Sequence, residues 1–197
     1  KTHLNPNLNN LNFIKKNNVK KIVVTYRDLR DVSIARYHRL MKFPKKINDP
    51  NYKDYNLMNK SDAINHSIDL VAKHYINWID GWKEISKKNE DLVLFIRFED
   101  LIKDSKKEFK KILNFYEINL NEELINQICK STEGKKDMVT NLNESRVLPW
   151  ALSSNFRSGK IGNWKNEFSK ENLIFAKKLL GQKLIELNYE KNLNWDI

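Results

Sequence analysis

The chain has 197 residues, 40% of them hydrophobic and 11% aromatic, so a disordered polypeptide is excluded and one folded domain over residues 1–197 is predicted. The net charge of +11 favours anionic partners, but the lysines are scattered and no arginine-rich arm indicates nucleic-acid binding. The single cysteine, Cys129, excludes a disulfide framework, and no apolar run is long enough to span a membrane, so we expect a cytoplasmic protein.

The N-terminal segment opens with Lys1-Thr2-His3-Leu4 rather than with methionine. We therefore expect the chain to be the N-terminally incomplete part of a longer protein. A short helix is predicted next, because Leu8, Leu11 and Ile14 recur at helical spacing. From the residues alone, a histidine so close to the end of the chain is typical of a surface position.

The stretch from Val19 to Met41 predicts a strand followed by a helix. Residues 22–26 form a β-branched and aromatic run typical of a strand covered on both faces in a parallel sheet. Arg27 ends this strand, and Asp28 or Asp31 can cap the following helix. A strand that leads into a helix N-terminus is suited to bind a phosphate or sulfate, with Arg27 as a cationic fork. The alternative is a surface arginine that pairs with Asp28 or Asp31.

The middle of the chain predicts a long polar loop and then a long helix. The loop runs from Pro44 to Lys60 and is a candidate substrate-binding or lid segment. Ser61 is the expected N-cap of the helix, and we interpret His66 and His74 within it as surface or packed histidines rather than metal ligands. Apolar residues recur every three or four positions along this helix, which predicts one apolar face: Ile64, Ile68, Val71, Tyr75, Trp78, Ile79, Trp82 and Ile85.

The second half of the chain alternates strand and helix. A buried strand is predicted over Asp91–Phe98, and amphipathic helices are predicted over Ser105–Tyr116 and Asn121–Lys130. This alternation indicates an α/β fold with a mostly parallel sheet. A final helix is expected over about Lys170–Leu187, and Trp195 is expected to anchor the tail.

A glycine-containing basic loop runs from Phe156 to Lys165, shortly before the predicted final helix. Its two glycines and three cationic side chains can bring backbone close to an anion and cover it. The alternative interpretation is an ordinary basic surface turn.

Four segments, in chain order, resemble the soluble sulfotransferases that use 3′-phosphoadenosine 5′-phosphosulfate (PAPS) as sulfo donor. The opening KTHL is similar to the family's KTHLP segment, which implies that His3 is the catalytic base and that Lys1 stabilises the transferring group. YRDLRDVSIARYH is similar to the segment whose arginine binds the donor's 3′-phosphate, here Arg27. LFIRFEDL resembles a strand that ends in tyrosine–Glu–Asp, with Phe98 at the position of an adenine-contacting tyrosine.

The fourth segment, FRSGKIGNWK, resembles the family's RKGxxGDWK loop. The resemblance implies a group of nucleotide-binding residues: Phe156, Arg157, Ser158 and Gly159. It also implies a P-loop-like parallel sheet flanked by helices, of the sulfotransferase type. The family's 5′-phosphosulfate loop would precede KTHL, so we expect this chain to lack the first strand and the phosphate loop.

The sequence departs from the family pattern at three positions near the donor's 3′-phosphate. Ala35 replaces a serine, and Ser33 lies two residues too early to take its place. Asn163 replaces an aspartate, and Ser158 replaces a lysine. These departures weaken the expected 3′-phosphate site or leave it to be completed by other donors.

The resemblance implies an enzyme that moves a sulfo group from PAPS to a hydroxyl or amine of a small-molecule or glycan acceptor. It needs no metal, and no nucleic-acid partner is expected. The acceptor would contact segments 44–60 and 140–155. The alternative is a non-catalytic basic module that binds nucleic acid or another polyanion, as the net charge of +11 would allow. A nucleotide kinase ranks lowest, because the sequence has no GKS/T-type loop.

Overall fold

The computed structural model describes residues 4–42, 54–132 and 160–196. Several predicted positions therefore lie outside the described residues: Lys1, His3, Phe156, Arg157, Ser158 and Gly159. Most of the two predicted acceptor segments also lies outside, since only residues 54–60 of the first are described.

The described elements follow the predicted order of strands and helices. The helices are α1 (Leu8–Lys16), α2 (Leu29–Lys42), α3 (Lys60–Leu70), α4 (Ile76–Lys88), α5 (Phe98–Lys103), α6 (Ser105–Phe115), α7 (Glu122–Thr132) and α8 (Lys170–Glu186). The strands are β1 (Ile22–Tyr26) and β2 (Val93–Arg97). Short 3₁₀ turns cover Tyr55–Leu57 and Asn163–Asn166, and a π-helical turn over Val71–Tyr75 joins α3 to α4.

The chain divides into two compact units. The first unit comprises Lys1–Asn10, Arg27–Glu84 and Lys160–Ile197, and the second comprises Leu11–Tyr26 and Ile85–Gly159. The single domain predicted over residues 1–197 stays a prediction.

The second unit contains a parallel sheet flanked by helices, which confirms the predicted α/β class. Within the described residues the sheet has two strands, and β1 pairs with β2 so that Ile22 lies opposite Val93 and Tyr26 opposite Arg97. Helices α6 and α7 pack together around Leu113, Ile125 and Cys129.

The prediction that β1 is covered on both faces is wrong at one position. Val24 is buried, but Thr25 is exposed. Successive side chains of a strand point to opposite faces of its sheet, so a β-branched run can serve strand pairing while one of its side chains meets solvent.

The first unit is helical where it is described. Helix α3 packs against both α2 and α8. Fully buried aliphatic side chains from the three helices form its core: Leu29, Ile34, Ile64, Ile68, Leu180 and Leu184. The expected anchoring of the tail is confirmed, since the Trp195 ring lies edge-on to Trp164 at a centroid distance of 5.6 Å.

Two predicted element boundaries are wrong. Asn59 rather than Ser61 caps α3, because the Asn59 side chain accepts a hydrogen bond from the Asp62 backbone N–H at 2.9 Å. The Ser61 hydroxyl instead donates to Glu171 at 3.1 Å. Phe98 does not end the second strand but begins α5, where Glu99 and Asp100 favour the first helical turn.

The described helices also bear on membrane insertion. None of those within residues 4–42, 54–132 and 160–196 has both the length and the apolar character needed to cross a bilayer.

Candidate functional site

Arg27 lies between the end of β1 and the start of α2. The following residue, Asp28, caps the helix, because its Oδ1 accepts the backbone N–H of Arg30 at 2.9 Å. Of the two predicted capping residues, Asp28 therefore performs that role. Asp31 is left for a different set of partners.

The buried carboxylate of Asp31 connects α2 to the glycine-containing loop. Its Oδ2 accepts a hydrogen bond from Arg27 Nη2 at 3.1 Å and one from the Gly162 backbone N–H at 2.8 Å. Its Oδ1 accepts the Trp164 backbone N–H at 3.1 Å. Only 2% of Asp31 is exposed, so these three donors replace the water that an ionised carboxylate would otherwise bind.

The loop reaches Asp31 because Gly162 adopts a left-handed conformation, with φ of +72°. A side chain there would meet no atom within 4 Å, so the backbone dihedral rather than lack of space favours glycine. The 3₁₀ turn over Asn163–Asn166 follows directly and buries the Trp164 ring. The left-handed residue thus turns two nearby backbone N–H groups toward one carboxylate.

The guanidinium of Arg27 is held by this arrangement and remains partly exposed. Its Nη2 also donates to the carbonyl oxygen of Lys160 at 2.6 Å, and 23% of its side chain is exposed. The ion pair with Asp31 that was the alternative interpretation is therefore present. It does not exclude anion binding, because Asp31 also receives two backbone N–H groups and a guanidinium carries five N–H donors.

Arg30, the second arginine of this turn, has a structural role. It forms a bidentate pair with Asp28, with Nε and Nη2 at 3.0 and 2.7 Å from the two carboxylate oxygens, and Nη1 donates to Glu190 at 2.5 Å. Its guanidinium also lies over the Trp164 and Trp195 rings, at 4.1 and 4.6 Å from their centroids. Burial opposes its charge, but the hydrogen bonds that Arg30 donates to Asp28 and Glu190, and the charges of those carboxylates, prevail and raise the pKa of Arg30.

The absent serine of the family pattern is not replaced by Ser33. The Ser33 hydroxyl is buried and donates to the Leu29 carbonyl at 2.8 Å, while Ala35 is exposed. Another candidate donor is the Asn163 side-chain amide. Its Nδ2 atom is buried and has no hydrogen-bond partner within the described ranges.

Phe98 is the other predicted site residue that the structure describes. It lies in the second unit, half-buried, at the start of α5 and directly after Arg97, the register partner of Tyr26. Its role as an adenine contact stays a prediction.

Sequence reasoning missed what holds the segment that follows Lys1 and His3. The carbonyl oxygen of Leu4 accepts indole N–H groups from Trp78 at 2.8 Å and from Trp82 at 3.3 Å. The two tryptophans are four residues apart on α4, and this spacing was a usable signal that they share a partner.

Among the described residues, no cluster of three or more acidic, histidine or cysteine side chains could hold a metal ion.

Comparisons with known proteins identify a family that matches nearly the whole chain. A family model described as "Sulfotransferase domain" matches residues 1–188. The chain is 31% identical over 180 residues to sulfotransferase 1B1 of Canis lupus familiaris, an alignment that covers 86% of this chain and 57% of the relative. It is 29% identical over 173 residues to flavonol 4′-sulfotransferase of Flaveria chlorifolia, with 83% of this chain and 52% of the relative covered.

The fold is similar to that of a crystal structure of mouse sulfotransferase SULT7A1 complexed with PAP. The TM-score is 0.67 at 23% sequence identity, and the match covers 98% of this chain and 67% of that one. The chain thus spans little more than half the length of the curated relatives it matches.

Proposed function

The chain belongs to the sulfotransferase family, and on that premise we propose that it carries the donor-phosphate and catalytic-base segments of an enzyme that transfers a sulfo group from PAPS. The acceptor is a hydroxyl or an amine of a small molecule or glycan. Arg27 and the loop of residues 156–165 bind the donor, and His3 is the general base.

The single observation that carries this proposal is the connection made by Asp31. Two of the four segments that resemble the family, around Arg27 and around Gly162, are far apart in sequence. One buried carboxylate binds both, through Arg27 Nη2 and through the backbone of Gly162 and Trp164. An arginine next to a glycine-containing basic loop is an arrangement suited to a phosphate monoester, since a guanidinium fork matches phosphate geometry.

The residues near Arg27 fit the 3′-phosphate that distinguishes PAPS from other adenine nucleotides. Arg27 is partly exposed at the end of a strand. The Asn163 amide supplies a buried Nδ2–H that no described residue accepts, which suits a site lacking the family's serine. These groups, with Arg157 and Ser158 of the same loop, would hold the nucleotide.

The chemistry needs positioning and charge stabilisation more than covalent participation by the protein. Bound PAPS supplies an activated sulfo group. His3 takes the proton from the acceptor hydroxyl or amine, for which a neutral imidazole is suited near pH 7. Lys1 offsets the negative charge that develops on the leaving oxygen.

The acceptor class is chosen from the relatives' names and from the chain's aromatic residues. One relative is named for the 4′ position of a flavonol. Tyr52 and Trp150 lie in the predicted acceptor segments, whereas Tyr55 of the first segment is only 1% exposed and belongs to the core. A phenol is therefore the first acceptor to assay, followed by a sugar alcohol and a primary amine.

The donor site is tested by thermal stabilisation with adenosine 3′,5′-bisphosphate (PAP), with ADP and 5′-AMP as controls. PAP at 100 times its dissociation constant should add about 2.7 kcal/mol to the free energy of unfolding. Arg27→Ala should remove most of this stabilisation. Arg39→Ala is the matched control, because it deletes an exposed arginine of α2, the helix that follows Arg27, and changes the net charge equally. Equal losses in both variants would show a non-specific charge effect.

The catalytic base is tested in the full-length protein by His3→Ala. Turnover should fall by about 10²- to 10⁴-fold, the usual contribution of general-base catalysis, while PAP affinity is retained. Added imidazole should restore part of the activity. Near-normal turnover in this variant would refute the assignment of His3.

The net charge also makes a polyanion-binding module testable in the same preparation. That function requires binding to unrelated nucleic-acid duplexes whose logarithm of affinity falls linearly with the logarithm of salt concentration. It also requires equal stabilisation by PAP and ADP. This combination would replace the enzymatic proposal.

A further inference from the structure

We propose that the face of α4 formed by Trp78, Gly81 and Trp82 positions the His3 segment for catalysis. This inference rests on the proposed function, because it takes His3 to be the general base. The three residues do not touch substrate. They act through the backbone of Leu4–Pro6, and are therefore positioning residues.

The first contact is a pair of hydrogen bonds to one backbone oxygen. A carbonyl has two lone pairs, and the Leu4 oxygen uses them for the indole N–H groups of Trp78, at 2.8 Å, and Trp82, at 3.3 Å. Leu4 is the residue directly after His3. Because consecutive Cα atoms are about 3.8 Å apart, the anchored Leu4 peptide lies one residue from the proposed general base.

The second contact is a close approach between a proline and a glycine. A Cβ atom on Gly81 would lie 2.3 Å from Pro6 Cγ and 2.9 Å from Pro6 Cβ, much closer than carbon atoms can pack. Glycine is unfavourable in the middle of a helix, so a physical reason for its presence is informative. Here the reason is that the N-terminal segment lies directly against the α4 backbone.

The π-helical turn before α4 orients this face. The Ile76 backbone N–H bonds to the Val71 carbonyl, a five-residue spacing that inserts one extra residue into the helix. The insertion therefore changes the rotation of α4 relative to α3 and sets the direction of Trp78 and Trp82.

The contacts could serve stability alone, so the test must separate stability from positioning. Gly81→Ala does this, because alanine favours the helix while its methyl group displaces Pro6. The matched control is Gly181→Ala in α8, a helical glycine whose added Cβ would meet only the flexible end of the Leu193 side chain, at 2.5 Å.

The experiment measures kcat, PAP affinity and thermal stability in the full-length protein. Gly81→Ala should lower kcat by about 10- to 100-fold, since a displacement of about 1 Å from productive geometry can cost that much. PAP affinity should not change. Gly181→Ala should leave kcat at the wild-type value. Trp78→Phe, which loses the shorter hydrogen bond but keeps an aromatic ring, is the second variant if Gly81→Ala does not fold.

The decisive readout is a double-mutant cycle with His3→Ala. If Gly81 acts through His3, Gly81→Ala should lower kcat in the wild-type background and have no further effect once His3 is absent. An equal loss in both backgrounds, or no loss in either, would overturn this inference and leave the proposed function intact. A wild-type protein with no PAPS-dependent turnover would overturn both.

Discussion

Two carboxylates, Asp31 in the first unit and Glu122 in the second, each bind more than one donor and differ in burial. Asp31 is 2% exposed and receives one guanidinium and two backbone N–H groups. Glu122 has a side chain that is 60% exposed and receives the ammonium groups of Lys106, at 2.8 Å, and Lys110. On a simple list of ion pairs the two carboxylates would look equivalent.

The difference in burial gives the two carboxylates different functions. Removing Asp31 would leave partners that water cannot readily satisfy, so its geometry is enforced. The lysines of Glu122 can return to water at little cost, because exposed pairs are screened and lose side-chain entropy when they form. We conclude that the Asp31 cluster determines where Arg27 and the loop lie, whereas the Glu122 cluster affects mainly surface charge.

Asp31→Ala should have the largest effect. Two backbone N–H groups and the Arg27 guanidinium would lose their acceptor, and we expect the free energy of unfolding to fall by about 3–5 kcal/mol, as when one partner of a buried pair is removed. Urea denaturation monitored by tryptophan fluorescence measures this change. PAP binding should weaken in the same variant, because Arg27 and the loop would no longer share an anchor.

Asp69→Ala is the matched control for that experiment. Asp69 pairs with Lys73 at the same i,i+4 spacing as Arg27 and Asp31, at 2.7 Å, but Lys73 is exposed. We expect a loss of only about 0.3–0.5 kcal/mol. Similar losses for Asp31→Ala and Asp69→Ala would mean that burial does not distinguish the two pairs.

Gly162→Ala should have the next largest effect. The left-handed φ of +72° costs an L-residue roughly 1–2 kcal/mol, and nothing within 4 Å of the new methyl group would add a clash. Denaturation midpoints of Gly162→Ala and Gly162→Asn should differ, since asparagine tolerates this conformation better. Identical midpoints for both variants and the wild type would refute the conformational argument.

Tyr55 adds a buried neutral group to the comparison. Burial is the main cause that raises its pKa to about 12, and Arg36 and a hydrogen bond with Ser67 oppose the shift. The folded state therefore keeps its proton where the unfolded state, with a pKa of about 10, has lost it. The stabilising contribution is fully present below pH 10 and is lost as the pH rises toward 12. Denaturation at a series of alkaline pH values should show this decline, and Tyr55→Phe should reduce it.

The sequence predicted elements well wherever periodicity reports burial. Strand β1 and helix α6 begin at the predicted residues, and the apolar face of the long helix is largely buried. The sequence-based prediction failed at helix and strand ends where two side chains compete for the same role. Ser61 is a good cap by residue type, but Asn59 captures the Asp62 N–H and Ser61 bonds to Glu171 instead. Phe98 looks like a strand residue, but two acidic residues after it favour a helix start.

For the candidate site, the sequence predicted residues whose roles stay predictions, and it did not predict the contact that joins two of their segments. Arg27 and the loop around Gly162 were both identified from the sequence. Their common partner, Asp31, was not identified in that role, because the contact between Asp31 and Gly162 depends on the fold and on the left-handed φ of Gly162. The Leu4 anchor was missed for a similar reason. Trp78 and Trp82 fit an apolar helix face, and periodicity does not report where an indole N–H points.

Glu122→Gln should have the smallest effect and tests the exposed carboxylate of the comparison with Asp31. Hydrogen bonds with Lys106 and Lys110 lower the pKa of Glu122 to about 2, so Glu122 is fully ionised at neutral pH. The variant therefore removes one full negative charge that the two ammonium groups contact. Because the cluster is exposed, we expect a denaturation midpoint indistinguishable from that of the wild type at 0.15 M salt. A small loss should emerge only at low ionic strength, where screening is weak. A large, salt-independent loss would mean that exposed clusters in this chain anchor structure as Asp31 does.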